Sequence, residues 1–287
     1  MGRILVLGSG GMAGHVMAHQ LLLRGHDLVA AARGPLPPPL DACHIPLDVE
    51  CEESVSSICT KRSFDAVVNC VGVLVEASEI DPERSIRLNA LLPRTLARLG
   101  HANGFKLIHI STDCVFSGSR GGYCERDSRD GTGTYARTKA LGEVDETGHL
   151  SIRTSIIGPE LKDEGSGLFS WFMRQDGPIQ GFTNHLWSGV TTLELARAVA
   201  WVLDHPIDGL INLTNSKAIS KYELLEKLNA LWRGSRVHIE PVETAKGNDK
   251  SLVSLRSIPG LSVPSYDEML SLLHDHMKAG IFRYPYA

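Results

Sequence analysis

Residues 4–7, Ile-Leu-Val-Leu, run apolar without a break into a string of glycines, Gly8, Gly10, Gly11 and Gly14. Such a run bounded by glycine predicts a strand buried on both faces, as in a parallel sheet covered by helices. An apolar-periodic helix follows, with Val16, Leu21, Leu22 and Leu23. Gly8, Gly11 and Gly14 fall at G-x-x-G-x-x-G spacing. The first glycine permits the sharp turn after the strand. The second lets the backbone approach a pyrophosphate, and the third lets helix and strand pack with no side chain between them. The helix N-terminus then offers N–H groups and a positive dipole end to phosphate. An ordinary strand-to-helix turn is the structural alternative. The position at the head of the chain, with a second strand to follow, favours dinucleotide binding.

The 287 residues suffice for one large α/β domain with a smaller lobe. A net charge of -4 argues against nucleic acid or a polybasic membrane surface as partner. No apolar run approaches the roughly 20 residues of a membrane span. The start lacks the apolar core and cleavage site of a signal peptide, so a cytoplasmic location is expected. All six cysteines lie in the first half and none pairs as C-x-x-C, which reads as reduced thiols. The twelve histidines show no ligand spacing, and no metal site is expected.

Taken in order, residues 27–32 read as the second strand, ending at Arg33. Dinucleotide folds place an acid there for the adenosine ribose. A guanidinium instead suits a 2′-phosphate, so NADPH is expected over NADH, with a surface arginine as the alternative. Residues 43–49 read as a third strand, with Asp48 either a partner for the adenine amine or the N-cap of a helix over 50–62. A fourth strand over 65–72 ends at Gly72, where a cofactor ribose can lie. Residues 81–102 predict one long helix, opened by Asp81-Pro82 and kinked at Pro93. Asn89 inside it is either a surface or capping amide, or a buried amide fixing a kink and a water beside Lys139. The fifth strand, 105–110, runs into Ser111-Thr112-Asp113, whose hydroxyls point into the crevice at the carboxyl end of a parallel sheet. Tyr135 and Lys139 then sit four apart on one helix face. A sixth strand covers 149–157. Past Gly158 the strict alternation fails, until a helix over 192–204 and a strand over 210–213 rejoin the sheet. Ser220 and Glu223 predict a capping box opening a helix to 232. The expected fold is a Rossmann-type doubly wound parallel sheet. Residues 1–157 and 191–213 form its cofactor domain, and 158–190 and 214–287 a discontinuous substrate lobe.

Tyr-x-x-x-Lys after a hydroxyl-bearing strand end, with the glycine string at the start, resembles the extended short-chain dehydrogenase/reductase superfamily. Within it the chain resembles the dTDP-4-dehydrorhamnose reductase branch. The resembling stretches are 8–14, Leu88-Asn89-Ala90-Leu91-Leu92-Pro93, 110–118, 135–139 and Ile152-Arg153-Thr154-Ser155, with a weaker echo over 187–192. The resemblance is good from residue 3 to about 200 and poor beyond. It implies that Thr112 and Tyr135 bond the substrate carbonyl oxygen, while Lys139 holds the nicotinamide ribose and acts on Tyr135. Candidate cofactor contacts are Gly8, Ser9, Gly10, Gly11, Met12, Ala13, Arg33, Asp48, Val49, Cys70, Val71, Gly72, Asn89, Ile110, Tyr135, Lys139 and Thr154. Candidate substrate contacts are Val73, Leu74, Thr112, Tyr135, Asn184 and Trp187, the last being core filler on the alternative reading.

Chemistry agrees with these roles. Hydride arrival makes an alkoxide, which two preorganised hydroxyls stabilise and Tyr135 protonates. A phenol of pKa about 10 is expected to fall to about 7 beside Lys139 and oxidised nicotinamide, which takes about 4 kcal/mol. Resembling 4,6-dehydratases carry Asp-Glu after the catalytic threonine, whereas Cys114 follows Asp113 here, which favours simple reduction. The expected function is NADPH-dependent reduction of a nucleotide-linked 4-keto-6-deoxy sugar, in a polysaccharide or glycoside pathway. The alternatives are an epimerase with bound NAD and a non-catalytic NADP-binding regulatory subunit; a homodimer is left open.

Overall fold

β1 (Arg3–Leu7) lies between β2 (Asp27–Ala32) and β4 (Ala66–Asn69), parallel to both, with Val6 level with Ala30 and Val68. Beyond β2 lies β3 (His44–Pro46), and beyond β4 lie β5 (Lys106–Thr112), β6 (Leu150–Thr154) and β7 (Gly209–Asn212). The computed structural model, which describes residues 1–286, thus holds a seven-stranded parallel sheet of order β3-β2-β1-β4-β5-β6-β7. The order reverses between β1 and β4. That switch point opens a crevice at the carboxyl ends of the strands, where doubly wound sheets take ligands.

Alternate side chains of β1 feed two cores. Ile4 and Val6 join Val16 and Met17 of α1 (Met12–Leu23) and Leu195 and Val199 of α5 (Thr192–Asp204). Leu5 and Leu7 join Val55 and Cys59 of α2 (Glu52–Lys61) and Leu96 of α3 (Leu92–Asn103) on the other face. The first core runs on without interruption into α6 (Lys221–Arg233) and α7 (Tyr266–Lys278). There Ile179–Phe182 pairs with Ile239–Val242, and His185–Trp187 pairs with Ile219–Ser220 and Asn248–Asp249. The expected capping box is present at α6: Ser220 Oγ accepts from Glu223 N at 3.1 Å, and Glu223 Oε2 from Ser220 N at 2.9 Å.

Three elements depart from expectation. The sixth strand stops at Thr154, because Ser155 O accepts from Val190 N at 2.8 Å and diverts Ile156–Ile157 to pair with Val190–Thr191. The third strand shortens to His44–Pro46 and α2 begins at Glu52, capped by the Cys51 backbone. The long helix is not simply kinked at Pro93. Pro82–Ser85 is α-helical, Ile86–Leu91 widens to a π-helical turn, and α3 then carries Pro93 in its first turn. Proline has no N–H to bond backward, and the widened turn absorbs that loss.

α4 (Thr134–Gly142) is fastened to the sheet just past its end. Glu143 and Arg153 have fully buried side chains and pair through two hydrogen bonds of 2.8 Å. Ser111 Oγ donates to the same carboxylate at 2.8 Å, and Arg129 pairs with it from the loop before α4. The final residues return to α1, where Tyr284 OH lies 3.1 Å from His15 Nε2 and the Phe282 ring packs edge-on against His15.

Arg153→Met leaves Glu143 buried with only Arg129 as a charged partner, so it should cost about 3 kcal/mol in urea unfolding. Burial holds His15 down to about 4 and, with neighbouring cations, His276 to about 4. The unfolded chain takes up those protons near 6.5, so stability is intact above 6.5 and declines as pH falls toward 4. Unfolding midpoints at pH 7, 5.5 and 4.5 should fall in that order. The His15 contribution reaches about 3 kcal/mol by pH 4, and His15→Phe should flatten the slope.

Candidate active site

A groove of about 1260 Å³ lies over the switch point. Its floor is the β1–α1 turn. Gly8 has φ +80°, and a side chain on Gly14 would place its Cβ 2.0 Å from the Gly8 carbonyl oxygen, so only glycine lets α1 start this close. Gly11 caps α1 with extended backbone and no side-chain bond, which leaves the helix end to a ligand. Gly8, Gly10 and Gly11 line the groove, as do Arg33, Asp48 and Val49 on one wall and Cys70, Val71, Gly72, Val73 and Leu74 on the other. Asp48 is exposed and its Oδ1 accepts from Glu50 N at 3.1 Å; the α2 N-cap is Cys51, not Asp48.

Other expected cofactor contacts are spent on the fold. Ser9 is buried with Oγ donating to Val6 O at 2.8 Å, and Ala13 is buried in the first core. Met12 reaches the loop at Gly167. Thr154 Oγ1 donates to Leu213 O at 2.8 Å, which ties β6 to the residue after β7. Asn89 has no accessible surface: its amide accepts from Val73 N at 2.8 Å and donates to Val73 O at 3.0 Å and Thr138 Oγ1 at 3.2 Å. It clamps the groove wall to α4 and is not among the residues lining the groove. Conversely, Leu161, Lys162, Ser166 and Arg283 line the groove with no motif to mark them. They come from an irregular loop and the chain's tail, and tertiary packing alone brings them there.

At the end of β5, Thr112 Oγ1 accepts from Cys114 N at 3.1 Å and lies 3.2 Å from Asp113 Oδ1. Tyr135 meets it from α4, and Lys139, one turn further on, reaches Ile110, two residues before Thr112. Burial pushes the Tyr135 phenol up, with Cys114 and Asp113 adding to the rise and a Thr112 hydrogen bond opposing it. The expected fall depends on oxidised nicotinamide as well as Lys139; among the chain's own groups burial sets the direction, upward. Lys139 Nζ donates to Ile110 O at 2.7 Å, with His109 Nε2 at 3.4 Å. Burial pulls Lys139 down to about 8 against the pull of Glu143 and Cys70. Ile110 thus contributes its carbonyl to Lys139.

On the far side, Trp187 is buried, its Nε1 donating to Ser155 Oγ at 2.9 Å. Asn184 clamps Thr244, with bonds of 2.7 Å to O and 3.2 Å from N. Trp187 has no donor left for a sugar, whereas Asn184 Nδ2 keeps a second hydrogen. Sequence reasoning missed Lys221, whose Nζ lies 5.7 Å above the Trp187 ring. Burial lowers Lys221 and raises Asp113, and the two charges oppose each other's shift. The capping box predicted the helix that carries Lys221 but not which way its first residue faces. Among the described residues no cluster of metal-ligating side chains occurs, and no helix is long and apolar enough to cross a membrane.

The family described as RmlD substrate binding domain matches residues 2–257. A dTDP-4-dehydrorhamnose reductase of Mycolicibacterium smegmatis is 29% identical over 237 residues, covering 77% of this chain and 66% of that protein. The chain thus spans just under two thirds of that relative's length. A dTDP-4-keto-6-deoxy-D-glucose reductase of Streptomyces niveus is 31% identical over 249 residues, covering 84% of this chain and 82% of that protein. A solved dTDP-4-dehydrorhamnose reductase from Bacillus anthracis, in complex with NADP, superposes with TM-score 0.78 at 20% identity, covering 96% of this chain and 99% of that one. It shows the shared fold. A match through residues 2–257, joined to this groove and strand order, makes the chain a member of the RmlD substrate-binding-domain family.

Proposed function

We propose that this protein reduces the keto group of a nucleotide-linked 4-keto-6-deoxy sugar with NADPH. The observation that carries the reading is the meeting of Thr112, at the end of β5, with Tyr135 and Lys139 on one face of α4, beside a glycine-floored groove. The residues present fit a dinucleotide. The Gly8–Gly14 approach leaves the turn bare, Arg33 stands in the wall, and no acid ends β2. NADPH, when bound, supplies the hydride. Tyr135 gives its proton to the oxygen that was the carbonyl. Its raised pKa keeps that proton in place at neutral pH. Thr112 supplies a second hydroxyl to the same oxygen as charge develops there. Lys139, still a cation below about 8, favours transfer from the phenol and holds the ribose. Val73 and Leu74 form the sugar's side of the groove, and Asp113 with Lys221 bounds the pocket opposite. The reading places cofactor binding on 1–157 and 191–213 and substrate binding chiefly on 158–190 and 214–287.

The test follows loss of nicotinamide absorbance against dTDP-, UDP- and GDP-linked 4-keto-6-deoxy sugars. Tyr135→Phe should lower kcat by about 10²–10⁴ without loss of NADPH binding. Measurable NADPH binding with no turnover on any member sinks the reductase and favours a regulatory subunit, and tightly copurifying NAD favours an epimerase. Arg33→Ala should cut the preference for NADPH over NADH by about tenfold, the worth of one charge-assisted bond to phosphate. An unchanged ratio removes Arg33 from the cofactor site.

A further inference from the structure

Buried polar groups run in a line from the groove wall to Lys139. Val71 N donates to Asn69 Oδ1 at 3.1 Å. Asn69 Nδ2 lies 3.1 Å from His109 Nδ1, and His109 Nε2 lies 3.4 Å from Lys139 Nζ. Neither Asn69 nor His109 has accessible surface. The first contact fixes the amide, since turning it over would point an NH₂ group at the Val71 N–H. Asn69 Nδ2 therefore donates, and His109 Nδ1 must accept. Burial, with the charges of Lys139 and Arg94, holds His109 well below its ordinary pKa, so the imidazole is neutral. A neutral imidazole with Nδ1 accepting carries its one proton on Nε2. That proton faces Lys139. An ammonium group has three donors and no acceptor, whereas a neutral amine has a lone pair to receive it.

We propose that His109, locked by Asn69 with its proton on Nε2, is a positioning residue that weakens the hold of Lys139 on its own proton and so sets the upper pH limit of catalysis. The proposal rests on the reading that Lys139 acts as a cation beside Tyr135. Other groups face the lysine too. Glu143 from its own helix favours the charge, but Arg153, Arg129 and Ser111 already engage that carboxylate. Cys70, on the groove wall, is pushed up to about 12 and stays a neutral thiol at working pH. Arg94, from α3, bears on His109. The Ile110 carbonyl takes one lysine proton in either state. His109 is the neighbour whose hydrogen-bonding state discriminates between amine and ammonium.

The first measurement is the ring ¹⁵N spectrum of His109 in the full chain, with and without NADP⁺. A pyridine-type Nδ1 and pyrrole-type Nε2 are expected. A proton on Nδ1, or an imidazolium, overturns the proposal. Lys139 is then titrated through its labelled side-chain amine in wild type and in His109→Leu, which has neither donor nor acceptor. The lysine titration should rise by about one pH unit, a tenfold tighter hold on the proton, and the alkaline fall of keto-sugar reduction should rise with it. A histidine that merely accepts from the ammonium predicts the opposite, and an unchanged or lowered lysine titration overturns the proposal. Should His109→Leu not fold, Asn69→Asp serves. Its carboxylate still accepts from Val71 N but draws the histidine proton to Nδ1, so the ring spectrum should invert and the lysine titration rise; an uninverted spectrum overturns the lock. A shifted lysine titration with an unshifted rate profile overturns the claim that this lock sets the upper pH limit of catalysis.

Discussion

A carboxylate with no exposed surface must be neutralised where it stands, and Glu143 can be neutralised in one place only. Tyr135, Lys139 and Glu143 recur every four residues, so they share a face. Arg153 reaches the carboxylate from β6 and Ser111 from β5. Slide α4 by a turn and the charge loses these partners at a cost that no surface adjustment offsets. Such a pair adds little net stability over apolar packing, yet breaking it is expensive, and that asymmetry makes it a register pin. With α4 pinned at its end, the phenol is set against Thr112 and the amine against the Ile110 carbonyl of β5. The network continues outward. Arg153 Nη1 lies 3.3 Å from Asn212 Oδ1, and Asn212 donates to Tyr123 O and Val253 O, so β7 and the segment after Asn248–Asp249 answer to the same charge.

The other end of that assembly depends on a missing hydrogen. Pro93 cannot bond backward, and the preceding turn widens. The widened turn sets Asn89 inward, where one amide satisfies both backbone groups of Val73 and reaches Thr138 on α4. Gly142 lets this turn come close, since a Cβ there would lie 1.9 Å from Asn89 O. The groove wall at Val73 and the helix carrying Tyr135 are thus fixed to each other through a side chain that is not among those lining the groove. Asn89 reads as a cofactor contact in one dimension and is a strut in three.

What the sequence disclosed was whatever rests on local periodicity or local capping. The strand runs, the glycine turn, the capping box at Ser220 and the pairing of Tyr135 with Lys139 depend on neighbours within about one or two helical turns. What it hid depends on separations of tens to hundreds of residues. Asn184 and Trp187 look available in a polar stretch, but Thr244 takes three of the amide's bonds and Ser155 takes the indole N–H. Arg283 and Lys162 enter the groove because the tail folds back on α1 through His15 and Tyr284, a contact across 269 positions. His109 looks like one more residue in an apolar strand, and only the register of β4 against β5, which sets Asn69 beside it, reveals its company.

The chain's own groups raise the Tyr135 phenol, and on the proposed reading that suits reduction. A phenol drawn down toward neutrality would be part-ionised and would lack the proton it must give. Half-buried Tyr135, its phenol raised, keeps that proton. In the proposed reduction its acceptor is an alkoxide, the conjugate base of an alcohol far less acidic than any phenol, so the transfer would be downhill even from a raised phenol. The demand then falls on proton return, because a phenolate left in a dry pocket must be made good before the next turnover. A lysine brought down to about 8 holds a proton at neutral pH and holds it loosely. One burial thus acts in opposite directions on two groups a single turn apart, raising the acid whose charged form is an anion and lowering the one whose charged form is a cation.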